Sequence, residues 1–346
     1  MGKMLSYSGL VTKIRAMKSN LLTDDQYREL AEISSVPLAV AYLKQRPAYS
    51  QIWASLDEND LHRGQIEKLL INAVYNDFTR LYRFANMEQR KFLDLYFKRY
   101  EVAILKHCLN KVFDHRDVEL DLSMFHAFFG RHSSLNINLL ASSSSIEDFI
   151  NNLKGTEYYQ PLNHLREIES PTLFDYETAL DIFNFRNIWT LKDKLFHDED
   201  LKGLTNAYGH KFDLLNLQWI RRSREFYQAT PADIYALLLP VHYKLKKEEI
   251  TALVEAENNT VFEDVLSRTY YGKHYPQLSA DTLEDMYISI MKRVLTRSAK
   301  SHPFSAATIY QYLFFKDHEI RRLTVALECI RYSVPPEETV AHIFKF

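Results

Sequence analysis

The sequence predicts an all-α protein, and three observations support this fold class. Glycine supplies only 8 of the 346 residues, well below its usual share of about 7%. Glycine is the residue that adopts the positive φ angles of tight β-turns most easily, so a chain this poor in glycine has little capacity for β-hairpins. Apolar residues also recur at helical spacing, and helix-start signals precede several helices.

The clearest helical pattern lies in residues 64–113. Apolar residues follow a 3.6-residue period over 66–85, and a second run at the same spacing covers 93–108. The two runs are separated by residues 86–89, so the pattern predicts a helical hairpin that turns there. Upstream, Thr23 and Gln26 have the spacing of a capping box and predict another helix start.

Residues 133–145 interrupt this helical rhythm. The segment is rich in serine and carries no charge, which is typical of a surface connection. Residues 135–140 within it are the only place where the sequence predicts a short β-strand.

The helical hairpin recurs along the chain. An aromatic residue precedes an acidic residue by five positions in three places, and the offsets between the acidic residues are 112 and 106. These acidic residues are Glu101, Asp213 and Glu319. Another acidic residue recurs on the first helix of each hairpin at offsets of 110 and 107. Its copies are Glu67, Glu177 and Glu284.

A second pattern repeats independently of the hairpins. Residues 149–158 and 262–271 share the pattern F-x-x-x-L-x-x-T-x-Y at a constant offset of 113. Ala39, Leu43, Arg46 and Tyr49 form a degenerate third copy. The repeats predict three helical units: residues 1–110, 111–222 and 223–346. Because this period exceeds that of ordinary solenoids, a pseudo-threefold body and a linear array are both compatible with it.

Charge and cysteine content restrict the partners. The 43 Lys and Arg nearly balance the 45 Asp and Glu, so no overall field favours nucleic acid or an anionic membrane. Two cysteines in apolar helical patterns suit a reducing compartment, and no run is long enough to predict a membrane span. The 22 tyrosines and the basic runs 221–224 and 244–247 keep a nucleic-acid-binding module as an alternative. A generic α-helical scaffold is another alternative.

The motifs of common enzyme classes are incomplete. Neither Gly-Lys pair has the glycine and hydroxyl residue that a phosphate-binding loop needs. His318 and Glu319 begin a zinc-protease pattern, but Arg322 occupies the place of the second ligand. The group His107, Cys108, Asp114 and His115 contains metal-binding residue types, although Cys108 belongs to an apolar stripe. The sequence therefore predicts no catalytic residue, cofactor or metal, while an α-helical enzyme with an unrecognised site remains a further alternative.

Three segments together resemble one known family. Residues 213–224 read DLLNLQWIRRSR, an acidic residue and an Asn in an apolar helix that ends in Arg-x-Arg. Residues 234–240 form an apolar run that ends in Pro, and residues 13–22 are similar to the family's first helix. The family is the C subunit of prokaryotic V/A-type ATPases, whose eukaryotic relative is called the d subunit. Where many members follow the Pro with glycines, this chain has Val241, His242 and Tyr243.

The resemblance implies a fold and a function. It implies three similar helical domains arranged as a pseudo-threefold funnel, which holds the central axle of a rotary ATPase and rests on the membrane rotor ring. The chain is then a non-catalytic central-stalk subunit at the cytoplasmic face of the membrane, and it transmits torque for ion transport coupled to ATP hydrolysis or synthesis. Arg222 and Arg224 match the family's basic helix end, where they either contact acidic partner groups or cap helix carbonyls.

Overall fold

The computed structural model describes residues 2–54, 62–114 and 122–345, and within these residues every regular element is helical. The prediction of an all-α protein is therefore confirmed. Two short 3-10 helices cover Ser123–Phe125 and Leu165–Glu167. The α-helices are α1 (Gly2–Lys18), α2 (Asp24–Ala31), α3 (Val36–Lys44), α4 (Arg63–Phe84), α5 (Met87–Phe113), α6 (His126–His132), α7 (Ile137–Ala141), α8 (Ile146–Asn151), α9 (Tyr159–His164), α10 (Leu173–Leu195), α11 (Asp198–Glu225), α12 (Pro231–Leu237), α13 (Lys247–Val254), α14 (Asn259–Arg268), α15 (Tyr270–His274), α16 (Leu283–Ser301), α17 (Ala306–Arg331) and α18 (Pro336–Lys345).

Local sequence signals explain where many of these helices begin. The predicted capping box at Thr23 is present, because its hydroxyl accepts from the Gln26 N–H while the Gln26 side chain accepts from the Thr23 N–H. Thr172 and Thr230 make the same reciprocal bonds with an Asp three residues later. Each box satisfies N–H groups that a helix start leaves without an intrahelical partner.

The predicted hairpin around residues 64–113 is present as α4 and α5. Only two residues separate the helices, and Asn86 and Gln89 close the turn. The Asn86 side chain accepts from the Gln89 N–H, and the Gln89 side chain accepts from the Asn86 N–H, each over 3.0 Å. The pairs α10–α11 and α16–α17 repeat this plan of two long helices with a short connection.

The predicted strand at residues 135–140 was wrong. The segment contains α7 instead, because the Asn136 side chain accepts from the Leu139 N–H over 3.1 Å and starts a helical turn. Ile137 and Leu140, three residues apart, are buried on one side of it. Ser145 then caps α8, so the serines in this region mark helix ends rather than a plain surface loop.

One compact unit comprises residues 1–90 and 292–346. Its centre is α17, against which α1, α2, α3, α4 and α18 pack. Trp53 and Tyr312 are among its large buried side chains, at 1% exposure or less. Helices from both ends of the sequence therefore share one hydrophobic core.

The other compact unit comprises residues 91–291. Here α10 and α11 pack together, α12 and α13 lie against α11, and the short helices α13, α14 and α15 follow one another in contact. Phe97, Phe128 and Phe129 form an aromatic cluster with ring centroids 5.3 to 5.8 Å apart. Nowhere in the ranges that the structure describes is a helix long and apolar enough to cross a membrane.

Candidate functional site

The three recurring acidic residues of the hairpins are buried, and each accepts a hydrogen bond from a tyrosine. The pairs are Glu101 with Tyr158, Asp213 with Tyr271, and Glu319 with Tyr49. The oxygen–oxygen distance is 2.7 Å in the first pair and 3.0 Å in the second. The tyrosines are the last residues of the three copies of the second sequence pattern. We call these groups the acid clamps, because each one joins a hairpin to a separate short-helix segment.

Asp213 shows the second task of a clamp, which is to fix a backbone turn. Its carboxylate accepts from the N–H groups of Tyr243, Lys244 and Leu245 over 3.2, 2.6 and 3.0 Å. These residues lie in the connection between α12 and α13. A charged acceptor forms stronger hydrogen bonds than a neutral one, so Asp213 replaces the backbone partners that this turn lacks.

The other two clamps hold the equivalent turns. Glu319 accepts from the Leu22 N–H over 2.6 Å, one residue before the cap of α2. Glu101 accepts from the Ser133 hydroxyl, and the Ser133 oxygen accepts from the Leu135 N–H over 3.1 Å. Each acidic residue thus fixes both the start of a short-helix segment and the tyrosine at its end.

A basic residue lies one helical turn before each acidic residue. Lys98 donates to Glu101 over 2.9 Å, and Lys316 donates to Glu319 over 2.8 Å. In the Asp213 clamp His210 takes this position, and its Nδ1 lies 2.9 Å from the Tyr271 hydroxyl. The sequence comparison missed this position because its occupant changes from Lys to His, although the helical spacing of three residues was available as a signal.

The pairing follows a cyclic order along the chain. Glu101 bonds to the tyrosine of the next copy, and Asp213 does the same. Glu319, in the last hairpin, bonds to Tyr49 of the first copy, 270 residues away. The repeat therefore extends beyond similar helices to the same contact made three times.

Burial controls the protonation of the clamp residues. Loss of solvent raises the pKa of Asp213, although the three backbone N–H groups and the Tyr271 hydroxyl oppose this shift. Burial and the neighbouring carboxylate raise the pKa of Tyr271 and of Tyr158. The pKa of His210 falls to about 4, mainly through burial and secondarily through Lys244 and His274. At neutral pH the hydroxyls are donors and His210 is uncharged.

One clamp includes a further carboxylate that sequence reasoning missed. Tyr312 donates to Asp77 over 2.6 Å, and the Lys316 ammonium lies 3.9 Å from the same Asp77 oxygen. Burial raises the pKa of Asp77, while Lys316 and the Tyr312 hydroxyl oppose the increase. The signal was an Asp inside the apolar stripe of α4, next to Phe78. The Tyr312 hydroxyl, the Asp77 carboxylate and the Lys316 ammonium therefore each have a polar partner in the interior of the unit.

The predicted interface arginines lie at the end of α11 and have different surroundings. Arg222 forms an ion pair with Glu284 over 2.6 Å, and its side chain is 49% exposed. Arg224 donates to the carbonyl oxygens of Val254, over 2.8 Å, and Ala256 at the end of α13. Arg224 thus satisfies carbonyls that a helix end leaves free.

The acidic residues on the first helix of each hairpin form a second repeated contact. Glu177 accepts from Asn110 over 2.8 Å, and Glu284 accepts from Arg222. Glu67 instead bonds to Arg63, which also lies 3.4 Å from Glu328. The acidic residue therefore recurs in all three copies, but the side chain that it contacts is an amide in one copy and an arginine in the other two.

Beside Arg222 lies a cleft with a cavity volume of about 180 Å³. Its lining includes Trp219 and Glu177, and two exposed aromatic rings, Phe174 and Tyr227, lie 6.0 Å apart at its side. Lys106 and Asp181 within it are paired over 2.6 Å. The cleft is therefore lined by both aromatic and charged side chains, and its Lys106 and Asp181 already form an ion pair.

No metal centre is formed by the residues that the structure describes. Across 2–54, 62–114 and 122–345, no three His, Cys, Asp or Glu side chains are placed to hold an ion. Of the group considered from the sequence, Cys108 is buried and burial raises its pKa to about 12, whereas His115 lies outside the described residues.

Comparison with known proteins agrees with the resemblance inferred from the sequence. The model of the ATP synthase (C/AC39) subunit family matches residues 10–341. The C subunit of the A-type ATP synthase of Pyrococcus abyssi is 23% identical, over 97% of this chain and 90% of the relative. The proteins of that name from Methanosarcina mazei and Archaeoglobus fulgidus are 24% and 22% identical, over 92% and 97% of this chain and 88% and 96% of their own lengths. The chain belongs to the ATP synthase (C/AC39) subunit family.

Proposed function

We propose that this chain is the non-catalytic central-stalk subunit of a V/A-type rotary ATPase. In this role it links the rotating axle to the membrane rotor ring, at the cytoplasmic face of the membrane, and transmits torque for ion transport coupled to ATP hydrolysis or synthesis. The observation that carries the proposal is the family match over residues 10–341, together with relatives named as the C subunit of A-type ATP synthases that align along nearly their whole length.

The acid clamps support a mechanical role. A coupling element must resist twisting, and close-packed helices joined by buried, charge-assisted hydrogen bonds have low compliance. Each clamp ties a long hairpin helix to both ends of a short-helix segment, which limits sliding between them. The clamp residues are bonded to one another in the protein interior, an arrangement suited to holding structure.

We also propose that the three helical repeat units, residues 1–110, 111–222 and 223–346, form a pseudo-threefold funnel with three equivalent lobes, each of which joins the hairpin of one unit to the short helices of the next. Three clamps at matching positions support this organisation, as does the return of the last clamp to Tyr49. A linear array would leave Glu319 without a following copy to bond. A low-resolution solution envelope with three comparable lobes is the expected result, and an elongated rod would contradict the funnel.

The alternative of a nucleic-acid-binding module has little support from the basic run 221–224. Arg221 pairs with Glu225 over 2.9 Å, and Arg222 pairs with Glu284. Arg224 is engaged by backbone carbonyls. Binding to a nucleic acid requires cations that can neutralise phosphates and so release the counterions condensed on the strand, whereas these three arginines already have partners within the chain.

Co-purification tests the proposal. An affinity-tagged chain, isolated in mild detergent from cells that express the complete complex, should retain both the axle subunits and the rotor-ring subunits. Recovery of the chain without either group would contradict the proposed role. Arg222 is the better interface candidate of the two arginines because half of its side chain is exposed, so Arg222→Ala should weaken retention, while Arg166→Ala, which removes a comparable surface pair with Glu147, should not.

A further inference from the structure

Four large apolar side chains project into solvent where α1 begins and where α4 turns into α5. Met87 is 81% exposed, Leu5 76%, Met4 59% and Phe84 57%. Isolated exposed apolar residues are ordinary, but several together indicate a surface that is covered in use. We call these four residues the N-terminal apolar tip.

Hydrogen bonds hold the two parts of the tip side by side. The Asn86 side chain donates to the Ser6 hydroxyl over 2.7 Å, and the Gln89 side chain donates to the Ser6 carbonyl over 3.0 Å. Further along α1, the Lys13 ammonium lies 5.1 Å from the centre of the Phe84 ring. The tip is therefore a fixed feature of one compact unit.

The charges around the tip are predominantly positive. Helix α1 contains four basic residues and no acidic residue. Its basic residues are Lys3, Lys13, Arg15 and Lys18, of which Lys3 is next to Met4 and Lys13 is next to Phe84, whereas Lys18 ends the helix and donates to Gln311 over 3.4 Å. Arg83 and Arg90 flank the turn between α4 and α5, where Glu88 is the one acidic residue between positions 80 and 93. A surface of this kind attracts an anionic partner.

We propose that the N-terminal apolar tip inserts into the interface of an anionic phospholipid membrane, where Lys3 and Lys13 contact lipid headgroups. Interfacial binding requires apolar side chains that enter the acyl boundary and cations at headgroup level. The buried core of a protein–protein interface is depleted of charged residues, whereas here the Lys13 ammonium lies beside the apolar Phe84 ring, an arrangement that suits contact with headgroups. The inference does not depend on the proposed function.

Vesicle flotation with the full chain tests the inference. The chain should float with phosphatidylcholine vesicles that contain about one-third phosphatidylglycerol, and binding should weaken in high salt and with pure phosphatidylcholine. Leu5→Ser with Met87→Ser should reduce binding by at least about tenfold, because both side chains leave the acyl boundary. Lys3→Glu with Lys13→Glu should reduce it by a similar factor.

Ile168→Ser with Phe226→Ser provides the matched control, since these residues are 52% and 64% exposed elsewhere and should leave flotation unchanged. All these positions are at the surface, and unchanged melting temperatures would show that the variants fold. Absence of flotation with anionic vesicles at low salt would overturn the inference. Full vesicle binding by the variant that carries both Leu5→Ser and Met87→Ser would also overturn it. A further contrary result would be a parent chain that binds no lipid, combined with a double variant that no longer co-purifies with the axle and ring subunits. The co-purification of the parent chain tests the proposed function separately.

Discussion

At the scale of single residues, Lys316 is the most informative side chain. It is 1% exposed, and its ammonium lies 2.8 Å from Glu319, 3.0 Å from the Tyr49 hydroxyl and 3.9 Å from Asp77. A buried charge is tolerated only where its neighbours compensate for the lost solvent. The clamp in this unit is therefore an interdependent group in which each member keeps another satisfied.

Replacing Glu319 by Gln should be strongly destabilising. The variant keeps the shape of the side chain but removes the charge that balances Lys316, and breaking a buried ion pair costs about 3 to 5 kcal/mol. Urea denaturation would measure the loss. Glu147→Gln is the control, because Glu147 pairs with Arg166 at the surface and should cost about 0.5 kcal/mol or less. Equal losses in the two variants would contradict the assigned role, and adding Lys316→Met should restore part of the stability.

His318 should make the stability depend on pH. Burial, then Lys292, Arg322 and Arg321, lower its pKa to about 3, and neither ring nitrogen has a hydrogen-bond partner among the residues that the structure describes. The unfolded chain, with a histidine pKa of about 6.5, takes up the proton first as the pH falls. This contribution to stability is therefore present above pH 6.5 and is lost as the pH decreases toward 3.

His318→Leu should raise the melting temperature at pH 7, because it removes an unsatisfied buried polar group worth about 1 kcal/mol. It should also reduce the difference in melting temperature between pH 7.5 and pH 5. Part of the dependence should remain, since burial also lowers the pKa of His210. His164→Leu is the control because this side chain is 80% exposed. A pH profile identical to that of the parent chain would refute the assignment.

At the scale of elements, helix α11 carries a glycine for a packing reason. A Cβ atom at Gly209 would lie 2.4 Å from Cγ of the Tyr243 ring. The Tyr243 ring has little freedom to move, because the Tyr243 hydroxyl donates to the Asn206 side chain over 3.1 Å and the Tyr243 backbone N–H donates to Asp213. Only glycine lets α11 and the turn held by Asp213 approach this closely.

Gly209→Ala should destabilise the protein by about 1 to 3 kcal/mol, because overpacking displaces Tyr243 and strains the bonds of the turn to Asp213. Thermal denaturation would show the effect. Gly9→Ala lies in the interior of α1, where, apart from the nearby backbone of the helix itself, no atom of the described residues is within 4 Å of the added methyl group. This variant should instead stabilise the protein by about 0.5 to 1 kcal/mol, the helix preference of alanine over glycine. A gain of stability in both variants would show that Tyr243 does not constrain this helix.

The long hairpin helices could be predicted from the sequence, whereas the short helix α7 could not. Helices α4 and α5 repeat their apolar residues over several turns, so the period identifies them and Asn86 marks their turn. Helix α7 has five residues, and its two buried residues fit a short strand as well as one helical turn. The bond from the Leu139 N–H to Asn136 decides between them, and this local contact leaves no periodic signal.

At the scale of the whole molecule, the sequence predicted that Glu101, Asp213 and Glu319 are equivalent and that their tyrosines recur. It did not predict that these residues bond to each other, because spacing along the chain carries no information on which distant segment a buried carboxylate faces. The copies also differ chemically. Glu284 bonds to a cation, Glu177 bonds to an amide, and Glu67 shares Arg63 with Glu328, so the repeated position conserves a contact rather than a charge.

Hydrogen exchange would show whether each clamp stabilises its own compact unit. Tyr49→Phe removes a hydroxyl that donates to buried Glu319 and accepts from Lys316, which should cost at least about 1.4 kcal/mol and accelerate exchange at least about tenfold. The acceleration should appear together in α2, α3, α4 and α17, which share a core although they lie far apart in sequence, and should spare α10. Tyr158→Phe is the matched control, because it removes the equivalent bond in the unit formed by residues 91–291 and should accelerate exchange there. If both variants accelerated the same peptides, the two units would unfold as one and the clamps would not act separately.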